Sequence, residues 1–380
     1  MPEVYIVNTA HFLPNSSISN DEMEEFLGLI GEEASKSKRI VLRSNGIKNR
    51  FYAINKNGTA THTNAEMSAL SIRKLVGNNS DKLNEIDLIS CGTSTPDQFL
   101  PSHGVMVHGW LPETKNAEVT SPSGACCSGM HAFKYAFMSL KLNDSKIAVC
   151  SGSERLSRLL QAEQFEIEVK KKKELEKNQY LAFEKDFLRW MLSDGAGSFL
   201  MSTKKNNSGI SLKIDWIEAY SFANEVDVCM YLAGDKEDNG EFKSYMDYSP
   251  QEIQDHSVLS MKQDVKLLSE NIIRLGFTKL EGAIKNKGID VNDITYFLPH
   301  MSSYFFEDKI ANMLKELDMH IPKERWFTNL ESKGNVGAGS IYLMVDELFN
   351  SGKLKVGDKI LLAVPESSRF SYAFSMLTVC

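Results

Sequence analysis

The sequence predicts an α/β fold in which helices cover buried, largely parallel β-sheets. Short apolar runs typical of strands alternate with longer runs of helical periodicity, and both halves of the chain show this alternation. A hydrophobic content of 42% over 380 residues is enough to bury a substantial core. No residue-level repeat relates the two halves, so their similarity lies in the order of the elements.

The first half contains three predicted strands and two predicted helices. The strands are VYIVNTA, EIDLISCGT and KIAVCSGS, and the first helix is NDEMEEFLGLI. The second helix begins near Cys127, because Met130, Phe133, Phe137 and Leu140 recur on one helical face. Apolar strands of this length are typical of sheets that are covered on both faces.

The second half repeats this order of elements. The predicted strands are ITYFLPH and DKILLAVPE, and the predicted helices are SSYFFEDKIANMLKEL and SIYLMVDELFNSG, which ends at Gly352. Residues 201–212 are polar and rich in turn-forming residues, which is typical of a boundary. We therefore expect an N-terminal half at 1–205 and a C-terminal half at 206–380.

Charge and cysteine content limit the classes of function. A net charge of −7 gives no global attraction to nucleic acid or to an anionic membrane. No apolar run reaches the length of a membrane span, and the first residues lack the pattern of a signal peptide. The six cysteines show neither a disulfide framework nor metal-ligand spacing. We expect a cytoplasmic protein without membrane insertion, metal or cofactor.

A charge-dense segment interrupts the first half at about 160–187. Glu and Lys residues four apart are typical of a solvated surface helix. Alternatively, the segment is a lid or docking insertion that presents four consecutive lysines to an acidic partner. These lysines are Lys170, Lys171, Lys172 and Lys173.

Two adjacent cysteines stand in the stretch SPSGACCSGMHAF, at residues 121–133. Cys127 lies at or just before the first turn of a predicted helix, where free N–H groups and the helix dipole favour a thiolate nucleophile. Cys126 would point in another direction. From this stretch alone, both cysteines could equally be small buried hydrophobic residues.

Two later segments could supply neutral hydrogen-bond donors to an acyl-transfer reaction. His300, in FLPHMSS, follows a predicted strand directly, where sites of α/β sheets commonly lie. Asn335, in ESKGNVGAGS, lies in a glycine-rich turn before a helix. An imidazole and a carboxamide can both donate to a developing oxyanion or enolate. Taken singly, each residue could be merely structural.

Together, these segments resemble the β-ketoacyl carrier-protein synthase III branch of the thiolase-like condensing enzymes. The resemblance covers nearly the whole chain. Its segments, in order, are RSNGIKNRF, GTSTPDQFLPS, GACCSGM, SGSERLSR, LSDGAGSFL, LPHMSS and KGNVGAGS. Each segment is weak evidence alone, but the ordered set is specific.

The resemblance implies a five-layered αβαβα thiolase-like fold made of two similar halves, usually as a homodimer. It implies that Cys127 is acylated by a thioester carried on acyl carrier protein or coenzyme A. His300 and Asn335 would then stabilise the enolate or oxyanion. The small residue and glycine that follow the family's cysteine select Cys127 over Cys126, which becomes a packing residue.

The chain departs from the family pattern near its C-terminus, where VPESSRFSYAF replaces a glycine-rich strand. The resemblance therefore leaves Cys127, Ser367 and Ser368 as oxyanion-hole candidates. Arg43, in RSNGIKNRF, joins the four lysines of the charged segment as a candidate for binding pantetheine or the carrier. Met301 replaces the usual Gln, and Phe305 lies near a position that is often basic.

These departures resemble a specialised branch of ketosynthases. Its members join two fatty-acyl-derived thioesters into a cyclohexanedione, the precursor of dialkylresorcinols. The alternatives are decarboxylative priming with malonyl carrier protein, head-to-head condensation of long chains, and transfer of the acyl group to water or an alcohol. A non-catalytic partner subunit of another synthase is a further alternative.

Overall fold

The computed structural model describes residues 1–30, 35, 38–77, 79–165, 188–237 and 239–380. Most of the charged segment that the sequence predicts at about 160–187 therefore lies outside the described residues, and so do its four lysines, Lys170 to Lys173. Its first residues, before this gap, form a short 3₁₀ helix at Ala162–Phe165.

Fifteen strands lie within the described ranges. They are β1 Tyr5–Phe12, β2 Ile18–Ser19, β3 Asn49–Arg50, β4 Leu88–Gly92, β5 Glu118–Thr120, β6 Ile147–Glu154, β7 Gly195–Ser202, β8 Leu212–Ser221, β9 Met230–Tyr231, β10 Gly234–Lys236, β11 Phe242–Ser244, β12 Lys262–Gln263, β13 Ile294–Pro299, β14 Lys359–Glu366 and β15 Ser371–Val379. The predicted strands correspond to β1, β4, β6, β13 and β14.

The described ranges also contain ten α-helices. They are α1 Met23–Leu27, α2 Lys38–Asn45, α3 Asn64–Val76, α4 His103–Gly109, α5 Cys127–Lys141, α6 Pro250–Asp255, α7 Val265–Asn286, α8 Glu307–Glu316, α9 Leu330–Lys333 and α10 Ser340–Phe349. The helix predicted near Cys127 is α5, which begins at that residue. None of the helices in the described part of the chain is long and apolar enough to span a bilayer.

Nine strands form one mixed sheet in the order β13-β14-β15-β8-β1-β7-β6-β4-β5. The pairings at its two ends, β13 with β14 and β4 with β5 and β6, are parallel. The pairings between β14 and β6 are antiparallel. The expectation of largely parallel sheets is therefore wrong. An apolar run shows that a strand is covered on both faces but carries no information about its direction.

The hydrophobic core beside α5 contains residues from both halves of the chain. The rings of Phe133 and Phe199 lie 5.5 Å apart between centroids, and Phe199 lies 4.2 Å from the ring of Tyr342 on α10. Two glycines allow the backbones to approach closely here. A Cβ atom on Gly129 or Gly152 would lie 2.3 or 2.2 Å from the carbonyl oxygen of Ala338. This packing fixes the start of α5 against the turn that leads into α10.

Candidate active site

A cavity lies beside the start of α5, next to the carboxyl ends of β6, β13 and β14. Such strand ends are where α/β sheets usually carry their sites. The polar lining residues are Ser94, Cys126, Glu154, Gln263, His300, Ser302, Asn335 and Ser367. Most of the remaining wall is apolar, with Leu156, Leu188, Met191, Leu192, Met230, Met261, Leu268, Ile272, Ile273, Phe277, Met301, Phe306 and Ile310.

His300 presents an unpaired nitrogen in this cavity. It follows β13 directly, and its backbone N–H donates to Ala363 O at 2.8 Å, which extends the pairing with β14. The side chain is buried, and Nε2 has no hydrogen-bond partner among the described residues. Burial lowers the pKa of His300 to about 4, because the protonated ring would lose its hydration. At neutral pH the imidazole is therefore uncharged and able to bind a substrate oxygen.

Asn335 is held by its backbone on both sides. Its N–H donates to Met191 O at 3.1 Å, and its carbonyl accepts from Ser193 N at 2.9 Å. Its side-chain Oδ1 accepts from Gly337 N at 2.9 Å. This bond fixes the carboxamide with Nδ2 as its donor end. The structure thus brings Asn335 and His300 to one cavity, although they are 35 residues apart in the sequence.

The two cysteines occupy different environments. Cys126 is half-buried and lines the cavity with His300 and Asn335. Cys127 is completely buried behind it, and its Sγ donates to Val364 O on β14 at 3.2 Å. Cys126, which the sequence predicts to be a packing residue, thus contributes to the cavity wall.

The start of α5 does not hold Cys127 as a thiolate in this arrangement. Burial raises the pKa of the Cys127 thiol well above its ordinary value, and the nearby Glu366 carboxylate raises it further. The N–H groups expected to stabilise a thiolate are already bound. Cys127 N donates to Glu366 Oε2 at 2.9 Å, and Ala125 N donates to the same oxygen at 3.1 Å.

Glu366 is a residue that the sequence analysis did not single out. It ends β14, is buried, and also accepts a short hydrogen bond at Oε1 from Ser368 Oγ. Ser367 lines the cavity, and its Oγ accepts from Gln263 Nε2 at 3.1 Å. The signal was present in VPESSRFSYAF, where an acidic residue stands in a region that is usually glycine-rich.

Glu154 is a second buried carboxylate that the sequence analysis missed. It ends β6, lines the cavity, and accepts from Ser94 Oγ and Thr95 Oγ1 at 2.7 Å and from Ala338 N at 3.2 Å. Burial raises its pKa to about 7, because hydrogen bonds from these donors offset only part of the lost hydration. The acidic residue at the end of the apolar run IAVCSGSE was the available signal.

Arg43 lies on the exposed face of α2, in its last turn. The cavity lining does not include it. A neighbouring basic residue, Arg50, is completely buried, and its guanidinium donates to Asn20 Oδ1 at 2.8 Å and to Trp190 O at 3.3 Å. Arg50 therefore has a structural role, whereas Arg43 is free to face solvent.

No cluster of three or more acidic, His or Cys side chains suited to a metal occurs in the described ranges.

Comparisons with known proteins agree with this architecture. Residues 284–364 match the family described as 3-Oxoacyl-[acyl-carrier-protein (ACP)] synthase III C terminal. A Beta-ketoacyl-[acyl-carrier-protein] synthase III of Clostridium perfringens (strain SM101 / Type A) is 25% identical over 366 residues, or 95% of each protein.

Two solved structures have the same fold. The tetronic acid condensing enzyme AbyA1 superposes with a TM-score of 0.74 at 17% identity, covering 99% of both chains. The 3-oxoacyl-[acyl-carrier-protein] synthase III from Aquifex aeolicus VF5 gives a TM-score of 0.69 at 19% identity, again over 99% of both chains. The predicted thiolase-like fold class is thereby confirmed. The chain is therefore similar in sequence and in fold to β-ketoacyl carrier-protein synthase III proteins.

Proposed function

We propose that this protein forms carbon–carbon bonds by Claisen-type condensation of fatty-acyl thioesters. The observation that carries the proposal is the neutral His300 ring and the oriented Asn335 carboxamide, which meet at one cavity beside the cysteine helix α5. Two uncharged donors can stabilise an enolate or oxyanion without protonating it outright.

In the proposed reaction, the sulfur of Cys127 attacks the carbonyl carbon of an acyl thioester. The carbon–sulfur bond to the carrier breaks, and the carrier thiol leaves with the proton of Cys127. The second thioester loses an α-proton to become a carbon nucleophile, which attacks the carbonyl carbon of the acyl-enzyme. The bond to Cys127 breaks, and the released thiolate takes up one proton, so that the protons balance. His300 and Asn335 donate hydrogen bonds to the oxygen that carries the negative charge.

The acyl chains would occupy the apolar part of the cavity. Leu268, Ile272 and Phe277 on α7 form one part of its wall, and Met191 and Met261 contribute flexible side chains. Met side chains adapt to irregular apolar ligands, and burial of each methylene group contributes about 0.8 kcal/mol. This lining supports a fatty-acyl substrate over a short polar one.

We further propose that the second substrate is a β-ketoacyl thioester and that the product is a cyclohexanedione precursor of dialkylresorcinols. The support is electrostatic. Glu154 lines the cavity, and Glu366 lies at the start of α5. A malonyl group would bring a further carboxylate beside these two carboxyl groups and would be repelled by whichever of them is ionised. A β-ketoacyl thioester carries no such charge.

The second candidate is priming of fatty-acid synthesis by decarboxylative condensation with malonyl carrier protein. The observation in its favour is the name of the Clostridium perfringens relative, which matches the chain over 95% of its length. Release of labelled CO2 from a malonyl thioester would support priming. A condensed product without CO2 release would support the cyclohexanedione branch.

One experiment tests the condensation itself. The protein is incubated with a fatty-acyl thioester, its intact mass is measured, a β-ketoacyl thioester is added, and the products are identified by mass spectrometry. We expect an acyl adduct on Cys127 that disappears as the condensed product forms. If Cys127→Ala takes up the same adduct as wild type, or wild type takes up none, the proposal is wrong.

The carrier, assembly and location of the protein are also proposals. We expect acyl carrier protein or coenzyme A as donor, with Arg43 and Lys170 to Lys173 contacting it.

A homodimer is supported by the exposed apolar side chains of Phe99 and Leu100, which are 72% and 86% exposed. A cysteine content without the spacing of a disulfide framework supports a cytoplasmic location. Sedimentation analysis would test the dimer.

A further inference from the structure

The last residues of β14 bind both hydrogen-bond donors of Cys127. Its Sγ–H donates to Val364 O at 3.2 Å, and its backbone N–H donates to Glu366 Oε2 at 2.9 Å. Val364 and Glu366 are two residues apart on one strand, and both are buried. The thiol and the adjacent amide are therefore held by one rigid element.

The backbone N–H of a nucleophilic residue is a common donor to the oxyanion formed on its own acyl group. In this structure, that donor already binds an anion. Glu366 Oε2 accepts from Cys127 N and from Ala125 N, so the carboxylate occupies the place in which a thioester oxygen would be stabilised. The positive end of the α5 dipole favours an anion at this position.

We propose that Glu366 is an internal plug of the oxyanion site. In the resting protein its carboxylate occupies the N–H groups at the start of α5 and keeps Cys127 as a protonated thiol. An incoming thioester carbonyl must displace the carboxylate before acylation can occur. The proposal rests on the proposed function only in taking Cys127 as the residue that is acylated.

Displacement of the Glu366 carboxylate must also break or move one further hydrogen bond. Its Oε1 is held by the hydroxyl of Ser368, which lies in the turn after β14. The titratable groups that its charge affects are Cys126, Cys127 and His131, all at or near the start of α5. When the carboxylate leaves, the two N–H groups become available and the nearest negative charge moves away from the thiol. Both changes favour the thiolate.

Acylation remains balanced in atoms and protons under this proposal. The bond between the acyl carbon and the carrier sulfur breaks, and the bond between that carbon and Cys127 Sγ forms. The carrier thiol leaves with the proton of Cys127 Sγ, which in the resting protein forms the hydrogen bond to Val364 O. Glu366 changes its hydrogen-bond partners and undergoes no net chemical change.

The test uses the full chain in a Cys126→Ala background, so that adducts on the neighbouring thiol do not interfere. Glu366→Ala empties the site, and Glu366→Gln keeps its shape without the charge. Ser368→Ala is a matched variant that removes only the hydroxyl bound to Oε1. Circular dichroism melts confirm that each variant is folded.

Two rates are measured for each variant. The first is alkylation of Cys127 by iodoacetamide across pH 6–10, and the second is acylation by octanoyl-coenzyme A in a single turnover, followed by intact mass. In Glu366→Ala we expect alkylation at pH 7 to rise about tenfold or more, the change expected when a thiol pKa falls by one unit. Acylation should also accelerate. Glu366→Gln should show a smaller increase, and Ser368→Ala the smallest.

The proposal is overturned if Glu366→Ala alkylates and acylates within twofold of the parent, or if its acylation slows tenfold while alkylation is unchanged. The second result would mean that the carboxylate assists acylation. Failure of the proposed function looks different. In that case the parent takes up no octanoyl group at all, whereas the alkylation rates still report whether Glu366 controls the thiol.

Discussion

The Tyr342 hydroxyl donates a hydrogen bond to the carbonyl oxygen of Gly129 at 2.7 Å, inside the core. Gly129 lies in the first turn of α5, and Tyr342 lies in the first turn of α10, which follows the Asn335 turn. The two residues are 213 positions apart in the chain. The bond therefore fixes the helix that carries Cys127 relative to the turn that carries Asn335.

Close packing beside this contact predicts that Gly152→Ala destabilises the folded protein. The added Cβ would lie 2.2 Å from the carbonyl oxygen of Ala338, which is backbone and cannot rotate away. We expect the free energy of unfolding to fall by about 1–3 kcal/mol, the usual cost of overpacking a core. Gly282→Ala on α7 is the matched control, because its Cβ would meet nothing within 4 Å. Urea unfolding that shows equal stability for both variants would contradict the prediction.

Replacement of each cysteine should separate the two thiols. Cys127→Ala should abolish the acyl adduct, whereas Cys126→Ala should retain it, because the backbone N–H of Cys127 becomes available to the acyl oxygen on its own sulfur once Glu366 is displaced. Intact mass after incubation with an acyl thioester provides the measurement. Because Cys126 is the thiol at the cavity wall, an adduct that survives in Cys127→Ala and is lost in Cys126→Ala would assign the reaction to Cys126.

Loss of the neutral donors should affect condensation more than acylation. In His300→Ala or Asn335→Ala, we expect the rate of product formation to fall about 10²- to 10³-fold, the usual effect of one oxyanion donor. The acyl adduct on Cys127 should still form. Comparison of single-turnover acylation with product formation gives the two rates. Equal losses in both steps would place these residues in acylation as well.

The lowered pKa of His300 sets the pH dependence of condensation. Since burial lowers this pKa to about 4, the ring stays neutral throughout the pH range in which an ordinary histidine titrates. We therefore expect that His300 contributes no inflection near pH 6.5 to the rate of product formation, measured on enzyme that is already acylated. An inflection near pH 6.5 that disappears in His300→Gln would show that the ring is solvated and would contradict this prediction.

The raised pKa of Glu154 predicts a stability that falls with rising pH. Between pH 4.5 and about 7, the folded protein keeps a proton on this carboxyl that the unfolded chain has released. The contribution of Glu154 to the free energy of unfolding is therefore largest below pH 4.5. It decreases by up to about 3 kcal/mol as the pH rises through this window, and it is constant above the window. Urea titrations from pH 4.5 to 8 give the free energy of unfolding of wild type and Glu154→Gln at each pH. If the two free energies change with pH in parallel, the raised pKa of Glu154 is contradicted.

Much of the secondary structure could be predicted from the sequence. Apolar runs predicted β4, β6, β13 and β14, and the spacing of Met130, Phe133 and Leu140 predicted α5, because burial imposes a period of 2.0 or 3.6 on the residues of each element. His300 was predicted directly after a strand, and that is its position after β13. The sequence predicts these features because they depend on residues that are close together in the sequence.

Strand direction and the state of Cys127 depend on contacts that form only in the folded chain. Covered strands have the same apolar composition in parallel and antiparallel pairings, so the antiparallel centre of the sheet leaves no signature in single segments. Glu366 lies 239 residues from Cys127. No local pattern links the two, because the hydrogen bond between them exists only after α5 and β14 have packed together. The helix start alone predicts a thiolate, and the folded chain places a carboxylate there.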